Sequence, residues 1–422
     1  MKRTILLTII VWVAGCQNNQ ALPTAAVTPT APATVPAEEK SDWSVYDPDP
    51  EHVWNRVFRQ LYRRTASYGT EYGAGELDPL LWFDTEYLLT GASHRQTLEV
   101  LDEFLSQHGE TLIREPLKRA MFQRDMWAVF DWLAWQPEPD SSGRQALESR
   151  LAQLIRRVAL SREEIISLPD NYALEINAHT FPGASVADDP DAPFLPIDLF
   201  QPESAWVPMG REGGPVAMTH TEAFPFFGRS AFLVFVRSPD GRAATLDFIE
   251  SLNTEPNPVT AIGSEVALVR QMLLIDDQGE IVLSPLVETI QLRHFSPAQS
   301  FHEFELDRFR LFRGEAGGLV PNSDLFMLFM GHGDVFEYSF PELQAAVPEI
   351  CKACHSEQSP MFNSGNTRSI VSYSREPFAL PEKARPILLP TTLEDEAQTV
   401  IAWKRNHGTW TSLEALWEQA NP

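Results

Sequence analysis

The residues best suited to chemistry are Cys351, Cys354 and His355, in the run Cys351-Lys352-Ala353-Cys354-His355. Two cysteines separated by two residues, with a histidine directly after the second, form the attachment pattern for covalently bound haem. Each thiol can add to one vinyl group of the porphyrin, and a two-residue gap on a helical turn places both sulfurs along one edge of the ring. The histidine then points under the ring, where its imidazole can bind the iron. The sequence therefore predicts one haem c, with His355 as the axial ligand.

A zinc site and a redox disulfide are the alternative interpretations of the same run. Structural zinc needs four ligands, usually from a second Cys or His pair at short spacing, and no other cysteine lies in this part of the chain. A disulfide is compatible with export, but it does not need His355. The run resembles the c-type cytochromes, and the resemblance is specific at these five residues. It implies a monohaem c-type cytochrome that acts in electron transfer with a redox partner protein.

The second axial position of the iron has several candidate ligands. His332 lies between two glycines shortly before the motif, and Met361 is the only methionine after it. Met361 would have to pass around the ring within an extended segment of about 20 Å, and core packing is the alternative role of its thioether. His407, in a loop between helices, is a further candidate. We expect a six-coordinate iron with His332 ahead of Met361.

Four other residues have roles that the sequence leaves open. Arg368 and Arg375 follow the motif closely and could pair with the haem propionates, although an exposed position is the ordinary one for arginine. His179 and His220 have no paired ligand at short spacing. We therefore expect both histidines to be surface or capping residues rather than metal ligands.

The N-terminus predicts export and lipidation. Lys2 and Arg3 precede an apolar run that is too short to span a bilayer. The following Val13-Ala14-Gly15-Cys16 resembles a bacterial lipobox, which implies cleavage before Cys16 and lipid attachment to its thiol. Gln17 is not an aspartate, which resembles the class sorted to the outer membrane. An ordinary signal peptide with a chance cysteine is the alternative. We expect a lipid-anchored protein that faces the periplasm.

Composition limits the remaining functions. Residues 17–40 are rich in Ala, Pro and Thr, which predicts a disordered tether with a reach of roughly 70 Å. The formal net charge of −25 argues against nucleic-acid binding and against adhesion to anionic lipid. No phosphate-binding loop, Gly-x-Ser-x-Gly or His-Glu-x-x-His motif occurs, so hydrolase chemistry has no motif to support it.

Hydrophobic periodicity predicts an α+β fold, because apolar residues recur at helical spacing early in the chain and alternate with polar residues later. The predicted parts are a signal peptide, a disordered tether, a helical region, a proline-rich crossover, an antiparallel β region and a small helical haem-binding region that resembles cytochrome c. These parts occupy residues 1–15, 16–41, 42–168, 169–225, 226–340 and 341–422 respectively.

Two features of the helical region concern candidate site residues. Trp127, Trp132 and Trp135 have helical spacing, so we expect core packing rather than an aromatic binding site. Asp125 and Asp131 lie on the same predicted helix, and we expect them to occupy its solvated face rather than to act as catalytic acids.

Several strands are predicted in the β region. Phe232–Val236 is an apolar β-branched and aromatic run, and Val266–Ile275 with Ile281–Leu292 is predicted to form a hairpin around a turn of Asp, Gln and Gly. Phe301–Phe312 alternates apolar and charged residues, and Leu325–Met330 is a short apolar run. Both are strand candidates.

Three functions are compatible with this pattern. The first is electron transfer by one covalent haem in a membrane-tethered protein, and no catalytic constellation in the sequence competes with it. The second is a haem enzyme or gas-binding protein with an open distal site, for which His332 and Arg375 would be the nearby polar groups. The third is a partner-binding lipoprotein whose haem reports the redox state.

Overall fold

A computed structural model describes residues 43–66, 69–82, 85–136, 142–186, 189, 192–254, 260–295, 300–321, 334, 336–337 and 387–420. Within these residues the chain is an α+β protein. Eleven α-helices are described, α1 to α11 in chain order: Val53–Tyr62, Gly91–Ser106, Pro116–Trp135, Ser142–Arg157, Arg162–Ile166, Asn171–Ala178, Met218–Glu222, Arg242–Thr254, Arg308–Arg313, Leu393–Arg405 and Gly408–Ala420.

Nine strands are described, two of which form a small hairpin. They are β1 to β9 in chain order: Arg64–Thr65, Glu71–Tyr72, Val207–Arg211, Ser230–Arg237, Glu265–Ile275, Ile281–His294, Ser300–Leu306, Leu319–Pro321 and Leu388–Pro390. Strands β3 to β9 form one sheet in the order β8-β7-β6-β5-β4-β3-β9, and every pair is antiparallel. The predicted hairpin is confirmed as β5 and β6, and the strand predicted at Phe232–Val236 is confirmed within β4.

Helix α3 lies at the centre of the molecule. Pro116 occupies its first turn, where a missing backbone N–H costs nothing. Its apolar residues lie on all sides of the helix, as expected for a helix that is buried all round. Trp127 and Trp132 are almost fully buried, so core packing of these two tryptophans is confirmed. Trp135 is partly buried and packs against Phe224 and Phe227.

The helices and the sheet share one hydrophobic core. Buried residues of α1 and α3, such as Trp54 and Phe122, belong to the same continuous cluster as Val269 and Ile290 of the sheet. Trp410 of the last helix joins this cluster through its contact with α3. The described parts of the early helices, the sheet and the C-terminal helices therefore stabilise one another.

Two elements differ from the sequence-based expectation. The strand expected to continue to Phe312 ends at Leu306, because the side chain of Asp307 accepts hydrogen bonds from the backbone N–H groups of Phe309 and Arg310 and begins α9. Residues 169–225 contain α6, β3 and α7. The strand expected at 325–330 lies outside the described residues.

Both edges of the large sheet are occupied by side chains from helices. On β8, the carboxylate of Glu175 accepts hydrogen bonds from the backbone N–H groups of Gly317 and Leu319. On β9, the side-chain amide of Asn253 donates to the backbone oxygen of Leu388 and accepts from its N–H. These contacts satisfy backbone groups that an edge strand would otherwise expose to pairing with another chain.

The order of the strands places the ends of the segment that contains the Cys-x-x-Cys-His motif far apart. Strands β8 and β9 are the two edges of the sheet, and the segment between Pro321 and Leu388 joins them in the chain. Six inter-strand spacings separate the two edges, or roughly 29 Å. Within the described residues, no helix is both long and apolar enough to cross a membrane.

Candidate functional site

The residues predicted to bind haem lie outside the described residues. They are Cys351, Cys354 and His355 of the motif, His332 and Met361 as sixth-ligand candidates, and Arg368 and Arg375 as propionate partners. Cys16, the predicted lipidation site, also lies outside them. The described residues show which contacts hold the chain before and after the motif. These contacts limit where the motif can lie.

Before the motif, Asp334 fixes the chain to the helical region. Its carboxylate is fully buried and lies 2.6 Å from Nη2 of Arg64. It also accepts a hydrogen bond from the hydroxyl of Thr85. Both partners are themselves buried, so this is a charge-assisted contact shielded from water, the kind that holds geometry best.

Aromatic packing strengthens the same attachment. The ring of Phe336 lies 5.8 Å from that of Tyr72 and 6.0 Å from that of Trp82, measured between ring centroids. The guanidinium of Arg64 stands 4.7 Å from the ring centroids of both Phe336 and Tyr87. Cation–π contacts of this kind hold Arg64 in place for its ion pair with Asp334.

After the motif, strand β9 and helix α10 return the chain to the core. Strand β9 pairs with β3, and Leu388 packs with Met209 and Val236 on the face that α8 covers. In α10, Lys404 is fully buried, and its Nζ lies 2.7 Å from Oδ2 of Asp131 in α3. The chain is therefore fixed to the same body on both sides of the candidate haem segment.

The ion pair of Lys404 with Asp131 belongs to a larger ionic cluster around α3. This cluster consists of Arg124, Arg229, Arg270, Arg308 and Lys404 with Asp78, Asp125, Asp131 and Glu288. At its centre, the carboxylate of Asp78 contacts three arginines. Its Oδ1 lies 2.9 Å from Nη2 of both Arg124 and Arg229, and its Oδ2 lies 2.6 Å from Nη2 of Arg270. Although burial alone would raise it, these three guanidinium groups hold the pKa of Asp78 well below its usual range.

Glu288 is the second carboxylate of the cluster. Its Oε1 lies 2.5 Å from Nε of Arg124, and its Oε2 lies 2.9 Å from Nε of Arg270. The hydroxyl of Ser230 also donates a hydrogen bond to Glu288. The register of β5 against β6 shifts beside Arg270 and leaves Glu288 without a partner in the ladder. This irregularity directs an acidic and a basic side chain toward each other.

Helix α3 contributes two more carboxylates, both of them ion-paired. Asp125 binds the guanidinium of Arg308 through both oxygens, at 2.7 and 3.1 Å. Asp131 contacts Lys404 and, at 3.1 Å, Nη1 of Arg229. The prediction that Asp125 and Asp131 occupy a solvated face was wrong, since both are fully buried. The sequence signal was present, because α3 has apolar residues all round and so offers no solvated face.

Three of the described histidines have structural roles. His179 ends α6 in a left-handed conformation, which confirms a capping role. His220 instead packs its ring against Phe232. His407 lies in the turn between α10 and α11, where its ring stacks on Trp403 and its Nδ1 lies 3.0 Å from the hydroxyl of Thr409. Burial, together with the charge of Lys404, lowers the pKa of His407 to about 4, so its imidazole is neutral at physiological pH.

Within the described part of the chain, no group of three or more His, Cys, Asp or Glu side chains could hold a metal ion. The comparisons with known proteins also give no match: no protein-family model, no curated protein and no solved structure matches this chain.

The pairing of Lys404 with Asp131 generates a stability prediction. Replacing Lys404 with alanine leaves the buried carboxylate of Asp131 with Arg229 as its remaining cationic partner. We expect a loss of roughly 3–5 kcal/mol in the free energy of unfolding, which denaturant titration would measure.

The neighbouring Arg405 supplies the matched control for Lys404→Ala. Its ion pair with Glu280 is about half exposed, so Arg405→Ala should cost less than about 1 kcal/mol. Equal effects of the two substitutions would contradict the role assigned to Lys404.

Proposed function

We propose that this protein is an exported, membrane-tethered monohaem c-type cytochrome that acts in electron transfer. The observation that carries the proposal is the Cys351-Lys352-Ala353-Cys354-His355 run, whose two thiols and one imidazole are the donor set for covalent haem. The C-terminal haem-binding part of the chain would resemble a small cytochrome c, inserted into the α+β body rather than joined to its end.

Five residues of the chain would bind different parts of the haem. Cys351 and Cys354 would fix the porphyrin through thioether bonds, and His355 would bind the iron from one side. Arg368 and Arg375 would pair with the propionates. The bound haem would supply one-electron chemistry, and the protein would set its potential through the second axial ligand and its exposure to solvent.

The attachments on either side of the motif support a role as an electron carrier. Electron transfer favours a cofactor whose surroundings rearrange little between redox states. Asp334 and Phe336 before the motif, and Leu388 and Lys404 after it, are buried or packed against the same body. A segment fixed at both ends loses less conformational entropy when it encloses a cofactor than a segment with a free end.

The N-terminus supports the proposed compartment. Covalent haem attachment in bacteria requires export, and the lipobox-like Val13-Ala14-Gly15-Cys16 predicts the same destination. A tether of residues 17–40 would hold the acidic body away from the membrane surface, within reach of a redox partner protein.

Haem attachment is the first test of the proposal. Expressed with haem-maturation machinery, the protein should carry haem that remains bound after denaturation, because thioether bonds survive unfolding. Mass spectrometry should show one haem added to the peptide that contains Cys351 and Cys354. Free or disulfide-linked cysteines in that preparation would contradict the proposal.

The axial role of His355 can be tested in the same preparation with a matched control variant. His355→Ala should remove or alter the native haem absorption spectrum, because the imidazole bond to iron is lost. His108→Ala should leave the spectrum unchanged, since His108 is an exposed residue before the first turn of a short 3₁₀ helix.

Lipidation can be tested independently of haem. Cys16→Ser should abolish acylation and release the protein from the membrane fraction, because the thiol that receives the lipid is missing. Mass spectrometry of the mature N-terminus and fractionation of cells would measure both effects. A wild-type mature protein that begins at another residue and carries no acyl chain would refute the tether.

Carbon monoxide distinguishes a carrier from an open-site enzyme or gas-binding protein. We expect slow CO binding by the reduced wild-type protein, because His332 or Met361 must first leave the iron. Stopped-flow absorption should show faster binding for His332→Ala and little change for Met361→Leu if His332 is the ligand. Fast, tight binding by the unaltered protein would instead favour an enzyme or gas binder.

A further inference from the structure

Three carboxyl side chains beside the ionic cluster have no cationic partner among the described residues. Glu303 and Glu305 are two residues apart on β7, so they share one face of the sheet. Glu76 lies in the loop before α2, where its backbone oxygen accepts a hydrogen bond from Arg308 of the ionic cluster. Glu303 lies opposite Gln291 and Glu305 opposite Thr289 in the ladder with β6. Neither of these partners carries a charge.

Two neighbouring cations are already paired, and a third, Arg293 on the same face of β6, lies over the rings of Phe295 and Phe301. Arg270, on the neighbouring strand β5, contacts Asp78 and Glu288, and Arg308 contacts Asp125. None of the three carboxyl groups makes an ion pair with another described residue. The side chain of Glu303 is more than nine-tenths buried. Its Oε1 accepts a hydrogen bond of 3.1 Å from Gln291, whereas its Oε2 is buried without a hydrogen-bond partner in the described part of the chain.

The charges around the three groups do not balance if all of them are ionised. The ionic cluster contains five cations and four carboxylates, namely Arg124, Arg229, Arg270, Arg308 and Lys404 with Asp78, Asp125, Asp131 and Glu288. One positive charge is therefore in excess within the cluster, and with Arg293 of β6 counted as well, two positive charges stand against three further carboxyl groups. Buried charge without compensation is costly, and a carboxyl group avoids that cost by taking up a proton.

We propose that Glu303, Glu305 and Glu76 form a proton-binding site that retains at least one proton in the folded protein at neutral pH. A protonated Glu303 would turn its partnerless buried oxygen into a hydroxyl that carries no charge. The site does not depend on the attachment of haem, since it rests on described residues of the sheet and of one loop.

The direction of the pKa changes agrees with this geometry. Burial raises the pKa of Glu303 to about 7, against the opposing effects of Gln291 and Arg270. Burial raises that of Glu305 to about 8, with further increases from Glu76 and Glu303. Burial also raises the pKa of Glu76 to about 7, although Arg308 opposes it.

The sign of the effect on stability follows from linkage. A carboxyl group whose pKa is higher in the folded than in the unfolded protein binds more protons when folded at any pH between the two values. The stability it contributes is complete below its unfolded pKa, and it is lost as the pH rises through the folded pKa. For Glu303 and Glu305, stability is lost between about pH 5, just above the pKa of an unfolded glutamate, and about pH 8, the higher of their two folded pKa values.

The test measures the thermal unfolding midpoint of the full-length protein across this pH range. For the wild type we expect the midpoint to fall as the pH rises. Glu303→Gln and Glu305→Gln should give a higher midpoint than the wild type at about pH 8 and a flatter dependence, because glutamine is uncharged at every pH. Glu99→Gln, at an exposed position of α2, should follow the wild type.

A second measurement keeps the proposal testable if a variant does not fold. Infrared spectra of the wild type near pH 6 should contain the carbonyl band of protonated carboxylic acid, and this band should disappear by about pH 9. Absence of the band, or glutamine variants as steep in pH as the wild type, would overturn the proposal. So would a pH dependence that is absent in sodium chloride and appears only when tetramethylammonium chloride replaces it, since a bound sodium ion would then be what neutralises the site.

Discussion

The ion pairs around Asp78 constrain the whole molecule. A buried charge is tolerated only where a partner and hydrogen bonds compensate its lost hydration. Asp78 is compensated by Arg124 of α3, by Arg229 before β4 and by Arg270 of β5. These residues come from distant parts of the chain, so the cluster is complete only when the helices and the sheet have assembled. This requirement favours one cooperative body over separate helical and β domains.

The same constraint reaches the end of the chain through Lys404. Because Lys404 compensates Asp131, helix α10 cannot leave the body without exposing a buried charge on α3. The segment that contains the Cys-x-x-Cys-His motif lies between the buried ion pair of Asp334 and this second one, whereas the haem-binding region predicted from the sequence, residues 341–422, also includes α10 and Lys404. Under the proposed function, the body therefore serves as the frame that limits where the haem can lie.

Sequence reasoning predicted those elements whose signal is local. The hairpin of β5 and β6 follows from period-two alternation around an Asp-Gln-Gly turn, and α3 follows from Pro116 and helical spacing. The burial of Asp125 and Asp131 was missed, although the apolar residues on all sides of α3 signal it. Their partners Arg308 and Lys404 could not be identified, because they lie far away along the chain. The Cys-x-x-Cys-His run is visible in the sequence because its five residues are contiguous. Under the proposed function, the second axial ligand would depend on tertiary structure.

Two neighbouring strands carry buried carboxyl groups whose surroundings favour opposite charge states. Glu288 on β6 contacts two arginines and a serine hydroxyl, so its charge is the form that the surroundings stabilise. Glu303 on β7 has one amide donor and one oxygen without a partner, so its neutral form is the one that burial favours. Since both carboxyl groups lie near Arg270, burial alone does not decide their charge. The charge of each carboxyl group depends on whether a guanidinium is available to pair with it, and every arginine of this cluster already pairs with another carboxylate.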